Sequence, residues 1–368
     1  MKKSIPLIDL KLQHRAVQSE TRRALQGVFS SQRFVLGGHV EDLEKRIAKK
    51  LGSRHGIGLA SGTDALYLTL LALGIGPGDE VITTPFTFFA SASSISRTGA
   101  RPVFSDIDPE TFNIDPERIA SRVSRRTKAI LPVHLFGLPC DMDPILSLAR
   151  KRGLFVVEDA AQSFGAEYQG RKIGGIGDAS ALSFYPTKNL GGAGDGGMAV
   201  TSSAALAAKL RRLRDHGQTK KYFHKEIGFN SRLDEIQAAV LQIKLKHIDT
   251  WNGRRAGNAA FYGKALRDLP LKLPVVPAGS LHTFHLYSVR TPRRDALARF
   301  LRSRGIGCGV YYPLPLHLQP CYRDLGYKRG DLPESERASK EVLSLPMYAE
   351  LSKSALERVA QSLREFFR

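Results

Sequence analysis

Short apolar segments typical of strands alternate with helical segments over the first half of the chain. The pattern predicts strands at 56–60, 80–83, 101–104, 129–132 and 154–158, and helices at 40–51, from Ala65 onwards, at 88–98 and at 144–152. Such alternation favours a mostly parallel sheet with helices on both faces, because parallel strands need crossover connections. The expected fold class is therefore α/β.

The pattern changes after Arg232. One long amphipathic helix is predicted over 233–251, followed by a helix at 254–267, a strand at 285–291, a helix at 295–304, a proline-rich loop at 311–319 and helices at 334–344 and 353–367. This mixture indicates a smaller α+β domain. We therefore expect a large domain over residues 1–250 and a small C-terminal domain over 251–368, which a chain of 368 residues can accommodate.

Composition argues against several classes of protein. Hydrophobic residues make up 42% and charged residues 24%, as in ordinary globular chains. Cys140, Cys308 and Cys321 are scattered and form no CxxC pair, which argues against a disulfide framework or a zinc site and suits a reducing cytosol. The amino terminus lacks the apolar run of a signal peptide, and no apolar stretch approaches the roughly 20 residues that span a bilayer. We expect a cytoplasmic protein without a bound metal and without a role in the membrane.

The net charge of +20 permits binding to nucleic acid, to acidic membranes or to anionic small molecules. The basic residues are spread along the chain, however, and no nucleic-acid motif such as RNP1 or paired Cys/His zinc ligands occurs. Nucleic acid is therefore not an expected partner. An anionic substrate, or simply a solvated basic surface, explains the charge better.

The segment Ser61-Gly62-Thr63-Asp64 lies between a predicted strand and a predicted helix. Backbone N–H groups at a helix start bind anions, glycine permits close approach, and a threonine hydroxyl adds one donor. The same residue types also favour a simple helix N-cap. Both interpretations stand on the sequence alone.

Two carboxylates and a glutamine follow an apolar strand in the segment Glu158-Asp159-Ala160-Ala161-Gln162. Ligands of open α/β sheets bind at the carboxyl ends of the strands. A carboxylate at that place can pair with a protonated ring nitrogen of a cofactor. A metal-binding or catalytic pair of carboxylates, or a helix N-cap, would use the same residues.

Lys188 lies between Pro186 and a glycine-rich run, GGAGDGG, at 191–197. A lysine that forms a Schiff base must lose its proton, so burial is expected to lower its pKa. The glycine run follows the lysine and lacks a terminal GK[ST], so it is neither a Rossmann fingerprint nor a Walker A loop. A surface lysine beside a flexible loop is the alternative interpretation.

These segments together resemble one family. The motifs are SGTDAL at 61–66, EDAAQSFGA at 158–166, SFYPTKNLGGAGDGG at 183–197 and GFNSRLDEIQAA at 228–239. In this order they resemble the DegT/DnrJ/EryC1/StrS family of sugar aminotransferases, which depend on pyridoxal 5′-phosphate (PLP). The resemblance runs from about Pro6 to the end of the chain and includes PLHLQPCYRDLGY at 315–327. It implies the aspartate aminotransferase fold (fold type I), with a large α/β/α domain and a small C-terminal domain.

The resemblance also implies roles for individual residues. Lys188 would form the Schiff base with PLP and, once released, act as the acid and base that moves the proton. Asp159 would pair with the pyridinium nitrogen, and Gln162 would hydrogen-bond the ring hydroxyl. The phosphate would be held by Gly62, Thr63 and Ser183.

Phe88 and Asn230 have two interpretations each. Phe88 matches the aromatic residue that the family stacks on the cofactor ring, although Phe86 and Phe89 beside it make core packing an alternative. Asn230 matches the family residue that reaches the phosphate of the neighbouring subunit, which implies a homodimer with a shared active site. A turn asparagine before the next helix is the rival interpretation.

On the substrate side, Arg232 matches a position that can grip the carboxylate of the amino donor, or it can simply pair with Asp234 or Glu235. Tyr312 and His317 resemble other substrate-binding positions. His216 and His285 are expected to be structural.

The resemblance implies transfer of an amino group from L-glutamate to a keto sugar carried on a nucleoside diphosphate, in the biosynthesis of amino sugars for lipopolysaccharide, other surface glycans or antibiotics. The segment at 315–327 favours 3-keto over 4-keto sugars. A PLP-binding regulatory or non-transaminating protein of the same fold is the alternative, whereas dehydratase members lack the lysine found here.

Overall fold

The computed structural model describes residues 4–368. Residues 1–3, which belong to the predicted large domain, lie outside the described residues. The described residues form twelve α-helices: α1 (Leu10–Ser31), α2 (Gly38–Lys50), α3 (Gly62–Ala72), α4 (Ala90–Arg97), α5 (Pro116–Ile119), α6 (Met142–Arg152), α7 (Ala204–Leu213), α8 (Glu235–Leu245), α9 (Ile248–Leu266), α10 (Arg294–Ser303), α11 (Pro333–Glu341) and α12 (Lys353–Phe367). Among these helices none is both long and apolar enough to cross a bilayer.

The strands are β1 (His55–Leu59), β2 (Glu80–Thr83), β3 (Arg101–Phe104), β4 (Thr127–Leu131), β5 (Phe155–Asp159), β6 (Glu167–Tyr168), β7 (Arg171–Lys172), β8 (Ala179–Ser183), β9 (Gly197–Thr201), β10 (Gln218–Lys220), β11 (Phe223–His224), β12 (Ser280–Leu281), β13 (Tyr287–Arg290) and β14 (Val342–Leu345). Seven of them form the main sheet, in the order β1-β9-β8-β5-β4-β2-β3. Strand β9 runs antiparallel to both neighbours, and the other pairs are parallel. The predicted mostly parallel sheet is confirmed.

Side chains of the central strands alternate between two hydrophobic cores, one on each face of the sheet. In β5, Val156 belongs to the core that includes residues of α1, α2, α6 and α8, whereas Val157 belongs to the core that includes residues of α3 and α7. Strands buried on both faces carry continuous apolar runs, as the sequence of β5 does. Helices therefore cover both faces, which confirms the expected layering.

A third core joins α10, α12, β13 and β14 in the C-terminal part of the chain. Helix α9 contributes to two cores, with Ile248 and Trp251 in the core shared with α8, and Tyr262 and Leu266 in the C-terminal one. The boundary between residues 250 and 251 would thus cut the first turn of α9, and it stays a prediction.

Helices α8 and α9 differ in their bounds from the two helices predicted for this part of the chain. The single helix predicted at 233–251 is split into α8 and α9, and the helix predicted from 254 begins at Ile248. Apolar residues continue at helical spacing through the break (Leu245, Ile248 and Trp251 are all buried), so periodicity could not reveal it. Helix α8 starts at Glu235 because the Asp234 side chain accepts a hydrogen bond from the Gln237 N–H at 2.7 Å and caps the helix.

The helix predicted at 334–344 ends at Glu341. The apolar residues that follow form β14, whose four residues pair antiparallel with β13 and are all buried. A short apolar run does not distinguish a strand from a buried helical turn, and here the partner strand decides.

Candidate active site

The predicted site residues follow the carboxyl ends of two neighbouring parallel strands. Asp159 is the last residue of β5 and Ser183 the last of β8, and the register pairs Asp159 with Ala181. Lys188 lies in the loop after β8, and Gln162 lies in the turn after β5. This is the edge of an open α/β sheet at which ligands bind.

Helix α3 begins against the end of β8. The Ser61 hydroxyl caps the helix by accepting a hydrogen bond from the Asp64 N–H at 3.0 Å. A Cβ added to Gly62 would lie 2.7 Å from the Cβ of Ser183, so only glycine permits this approach. The capping role falls to Ser61, and the first-turn N–H groups beside Thr63 and Ser183 have no acceptor within the helix. This end of α3 suits an anion.

Asp159 is a buried carboxylate without a cationic partner. Its Oδ2 accepts a hydrogen bond from the Ser91 hydroxyl at 2.7 Å, and its Oδ1 accepts one from the Ala161 N–H at 3.1 Å. Within residues 4–368 it forms no ion pair. Burial raises the pKa of Asp159, although these hydrogen bonds and the nearby Lys188 favour its ionised form. A buried anion of this kind suits a bound cation.

Lys188 is partly buried in a tight turn, where its N–H donates to the Tyr185 carbonyl at 2.8 Å. Its amine makes no hydrogen bond or ion pair to any described residue. Burial lowers the pKa of Lys188 to about 8, and the carboxylate of Asp159 opposes that shift. At pH 7 about a tenth of the amine is therefore neutral and able to react, far more than for an ordinary lysine, which fits the expectation that burial would lower its pKa.

Gln162, Tyr312 and Phe88 lie together beside these two groups. The Gln162 carbonyl accepts from the Phe136 N–H at 2.9 Å, and its amide donates to the Tyr312 hydroxyl at 3.1 Å. The ring of Phe88 lies 6.3 Å from that of Tyr312, and Phe88 is 57% exposed, which excludes the core-packing interpretation. An exposed aromatic ring beside a polar pocket is available to stack on a ligand.

Residues 15–364 match the model of the DegT/DnrJ/EryC1/StrS aminotransferase family. The chain belongs to this family.

Relatives of this family member match it over nearly its whole length. It is 50% identical to a pleiotropic regulatory protein of Geobacillus stearothermophilus, covering 99% of each chain. It is 45% identical to the dTDP-3-amino-3,4,6-trideoxy-alpha-D-glucose transaminase of Streptomyces venezuelae, over 98% of this chain and 96% of the other. A crystal structure of S. venezuelae DesV in complex with a ketimine intermediate matches with a TM-score of 0.98 at 45% identity, over 100% and 99% of the two chains. The fold is therefore that of the type I PLP enzymes, as expected.

Glu158, next to Asp159, has a different environment from its neighbour in this aminotransferase-family chain. Its carboxylate accepts hydrogen bonds from the N–H groups of Gly174, Ile176 and Gly177 at 2.8–2.9 Å. His134 adds a contact of 3.1 Å; its Nδ1 accepts from the Cys140 N–H, so its Nε2 carries the proton and donates to Glu158. Glu158 therefore holds the loop at 174–177 and is not half of a catalytic pair.

Asn230 and Arg232 both lie in the segment that precedes α8. Asn230 is exposed, while its neighbour Ser231 ties this segment to α3 through a 2.7 Å hydrogen bond to Asp64. Arg232 donates to Asp215 at 2.8 Å, and not to Asp234 or Glu235. Asp234 instead caps α8, and Glu235 accepts hydrogen bonds from backbone N–H groups at the start of α2. The alternative pairing expected for Arg232 was wrong because the sequence could not show that residue 215 folds beside it.

His317 is buried and contacts Glu336 through its Nε2 at 3.3 Å, while its Nδ1 has no partner in the part of the chain that the structure describes. Burial lowers the pKa of His317, so it is neutral at physiological pH. Its expected contact with substrate stays a prediction.

The sequence did not single out Ser91, which lies in α4 and donates to Asp159. The Thr87 hydroxyl lies 3.0 Å from that of Ser91, so two hydroxyl groups support the carboxylate. Only the four-residue spacing of Thr87 and Ser91 could have indicated that their hydroxyl groups meet, and such pairs are common in sequences. Among residues 4–368, no group of three or more His, Cys, Asp or Glu is placed to hold a metal ion.

Proposed function

We propose that the protein transfers the amino group of L-glutamate to a keto carbon of a nucleoside-diphosphate sugar, using PLP bound at Lys188. The observation that carries the proposal is the pair formed by a lysine amine of lowered pKa and a buried carboxylate without a cation, at the ligand-binding edge of the sheet. Membership of a family of aminotransferases supports it. We place the enzyme in the cytoplasm, with products destined for surface glycans or glycosylated natural products.

The residues present fit PLP. When bound, PLP supplies an aldehyde that takes up amines and a ring that accepts electrons from the bond being broken. The carboxylate of Asp159 would keep the ring nitrogen protonated, and Phe88 and Gln162 would hold the ring. The start of α3 would bind the phosphate, with donors from Gly62, Thr63 and Ser183.

Lys188 has the properties that a proton carrier needs. Because burial brings the pKa of its amine to about 8, the group both accepts and returns a proton near neutral pH. The carboxylate of Asp159 raises the pKa of this amine, so the two groups interact electrostatically and one bound ring would contact both. The amine would take the proton from the α-carbon of the donor and deliver it to the cofactor. With the acceptor, it would move a proton in the opposite direction.

The acceptor proposed is a 3-keto sugar. The curated relative from S. venezuelae is named for a sugar aminated at C3. A nucleoside diphosphate carries negative charge, which is consistent with a chain of net charge +20. Tyr312, whose hydroxyl accepts a hydrogen bond from the Gln162 amide at 3.1 Å, would contact the substrate.

We expect the enzyme with L-glutamate to aminate 3-keto nucleotide sugars and to leave 4-keto isomers unchanged or much slower. The test incubates it with matched 3-keto and 4-keto sugars on dTDP and UDP and follows amine incorporation from ¹⁵N-glutamate by mass spectrometry. L-Alanine and L-glutamine as donors provide the donor control. Amination of 4-keto sugars alone would overturn the C3 assignment and leave aminotransfer intact.

The partner proposed is a second copy of this chain, forming a homodimer whose active sites are shared. Asn230 is exposed, and its side chain hydrogen-bonds none of residues 4–368 of its own chain. Nearby, Tyr222, Phe223 and Ile227 are 78%, 60% and 91% exposed, which is unusual for large apolar side chains on a monomer surface. A partner covering this segment would bury these side chains and receive Asn230.

Subunit mixing should reveal whether Asn230 acts across the interface. Lys188→Ala and Asn230→Ala subunits, carrying different tags, are purified as mixed dimers. If Asn230 serves the partner's site, each mixed dimer contains one intact site and should recover about half of wild-type activity. If it serves its own site, the mixed dimer has no intact site, and activity stays at or below that of the Asn230→Ala homodimer.

A PLP-binding regulatory protein is the second candidate, because a relative at 50% identity is named a pleiotropic regulatory protein. The intact arrangement of Lys188 and Asp159 favours catalysis. The two candidates differ in one measurement. A regulatory protein would bind PLP yet convert no donor amino acid to its keto acid, whereas the enzyme makes 2-oxoglutarate from glutamate even without an acceptor, once per site.

A further inference from the structure

The residue that follows the reactive lysine is fixed by its side chain. Asn189 is 3% exposed, and its amide donates to the Asn252 carbonyl oxygen at 2.8 Å and to the backbone carbonyl of Thr283 at 3.0 Å. Its own oxygen lies 3.2 Å from Nδ1 of His285. All three contacts come from segments outside the loop that carries Lys188, so they fix this loop to the rest of the fold.

Asn252 joins the two loops of the site. From α9, it accepts from Asn189 and donates to the carbonyl of Phe164 at 3.0 Å, two residues beyond Gln162. A Cβ on Gly165 would lie 2.7 Å from the Asn252 amide nitrogen, and Gly165 has a φ of +89°, so this approach requires glycine. One side chain therefore sets the position of the lysine loop relative to the loop after β5.

His285 completes the arrangement as a neutral ring. Because both hydrogens of the Asn189 amide are donated elsewhere, its oxygen accepts, and Nδ1 of His285 must carry a proton. Burial lowers the pKa of His285 well below its ordinary value, and the charges of Lys188 and Arg255 lower it further. Arg255 also donates to the His285 carbonyl at 3.4 Å and to that of Met347 at 3.0 Å, which fixes the segment behind the ring.

These contacts matter because the side-chain amine of Lys188 has no hydrogen-bonding partner among the described residues. During aminotransfer its amine must carry protons without a covalent bond to hold it, and a shift of the loop that carries it would move the amine away from the reacting atoms. We propose that Asn189 is a positioning residue, which holds the Lys188 amine in place beside Asp159 through Asn252, Thr283 and His285. The proposal rests on the proposed role of Lys188, and nothing in it requires Asn189 to touch the substrate.

The test measures the titration of the Lys188 amine in protein without cofactor. Apo-protein is labelled briefly with an amine-reactive acylating reagent across a pH series, and modification of the Lys188 peptide is quantified by mass spectrometry. In the wild type, reactivity should reach half its maximum near the pKa of about 8. In Asn189→Ala the loosened loop exposes the amine to water, and the midpoint should move towards the ordinary lysine value of about 10.4. Asp159 and His285 are the titratable groups whose charges interact with the amine, and neither is substituted, although His285 loses its contact with the Asn189 oxygen.

Asn258→Ala is the matched control. Asn258 lies on α9, as Asn252 does, and its amide donates to the Tyr348 carbonyl at 2.9 Å. It should lower thermal stability without moving the midpoint. Asn252→Ala, which removes one of the three contacts, should shift the midpoint in the same direction by less, and it replaces Asn189→Ala if that variant does not fold. A folded Asn189→Ala that titrates like the wild type overturns the proposal. A shifted midpoint in a protein that never binds PLP would instead refute the proposed function alone.

Discussion

Lys188→Ala should eliminate amino transfer while the protein remains folded. Loss of a positioned acid and base costs roughly 10²–10⁴-fold in rate, and loss of the group that binds the cofactor takes activity to background. Stability should not suffer, because the Lys188 amine makes no hydrogen bond to the described residues and its protonated form is disfavoured by burial. Turnover with glutamate and a keto sugar, together with thermal unfolding of the apo-protein, tests both parts.

The pH dependence of stability gives this variant a signature. Lys188 has a pKa of about 8 in the folded protein, below the value of about 10.4 in an unfolded chain. At pH values between these two, Lys188 binds a proton more tightly in the unfolded state than in the folded state. The contribution of Lys188 to the free energy of unfolding therefore rises with pH over this range. Lys188→Ala should lack that rise. Wild-type turnover in Lys188→Ala would show that another group holds the cofactor.

Lys244 is the matched control for the chemistry. Burial lowers its pKa to about 8 as well, and its amine donates to the Gly191 carbonyl at 2.7 Å. A low pKa alone therefore does not distinguish the two lysines, whereas the free amine of Lys188 does. Borohydride reduction of the holo-protein should fix the cofactor on the peptide that contains Lys188. Cofactor on the Lys244 peptide would contradict the assignment.

The sequence predicted those parts of the site that topology alone brings together. Asp159 was expected at the carboxyl end of a predicted strand, where ligands of open α/β sheets bind. Strand β8 was not predicted, so Ser183 was assigned only through the family resemblance. Gly62 was informative for another reason, because a close approach at a helix start requires glycine. Contacts between distant segments were a different matter.

Ser91 and Asp215 show why other contacts of the site could not be predicted from the sequence. The hydrogen bond from Ser91 to Asp159 and the ion pair of Arg232 with Asp215 depend on how helices and loops pack over the sheet. No local pattern marks either contact, since a helical serine and a loop aspartate are ordinary residues. The break between α8 and α9 was hidden for a related reason, because buried side chains continue at helical spacing across it.

Asp159→Asn should reduce turnover by roughly 10²–10³-fold, the typical cost of removing one preorganised electrostatic contact. The amide cannot keep a bound ring nitrogen protonated. It also removes the charge that raises the pKa of Lys188, so labelling of the Lys188 amine in apo-protein should reach half-maximum below pH 8. Stopped-flow half-reactions with glutamate measure the first effect, and the labelling series measures the second.

Stability should change in the opposite direction to activity. Because burial raises the pKa of Asp159, the folded protein binds this proton more tightly than the unfolded chain, and its contribution to the free energy of unfolding falls as pH rises through that pKa. Asparagine removes that cost, so the apo-form of Asp159→Asn should be as stable as the wild type at neutral pH, or more so. A loss of stability comparable to the loss of activity would mean that Asp159 is structural.

Glu158→Gln provides the comparison at the adjacent position. Burial opposes ionisation of Glu158, but hydrogen bonds from His134 and the N–H groups of Gly177 and Gly174 outweigh it and lower the pKa. Its charge therefore stabilises the fold above the unfolded pKa of about 4.3, and this contribution is lost as pH falls through the lower folded value. Glutamine would place an amide donor against donors, so Glu158→Gln should unfold at lower temperature at neutral pH. Since two neighbouring carboxylates in one strand should respond with opposite signs, thermal unfolding of both variants separates the residue that binds a ligand from the one that holds a loop.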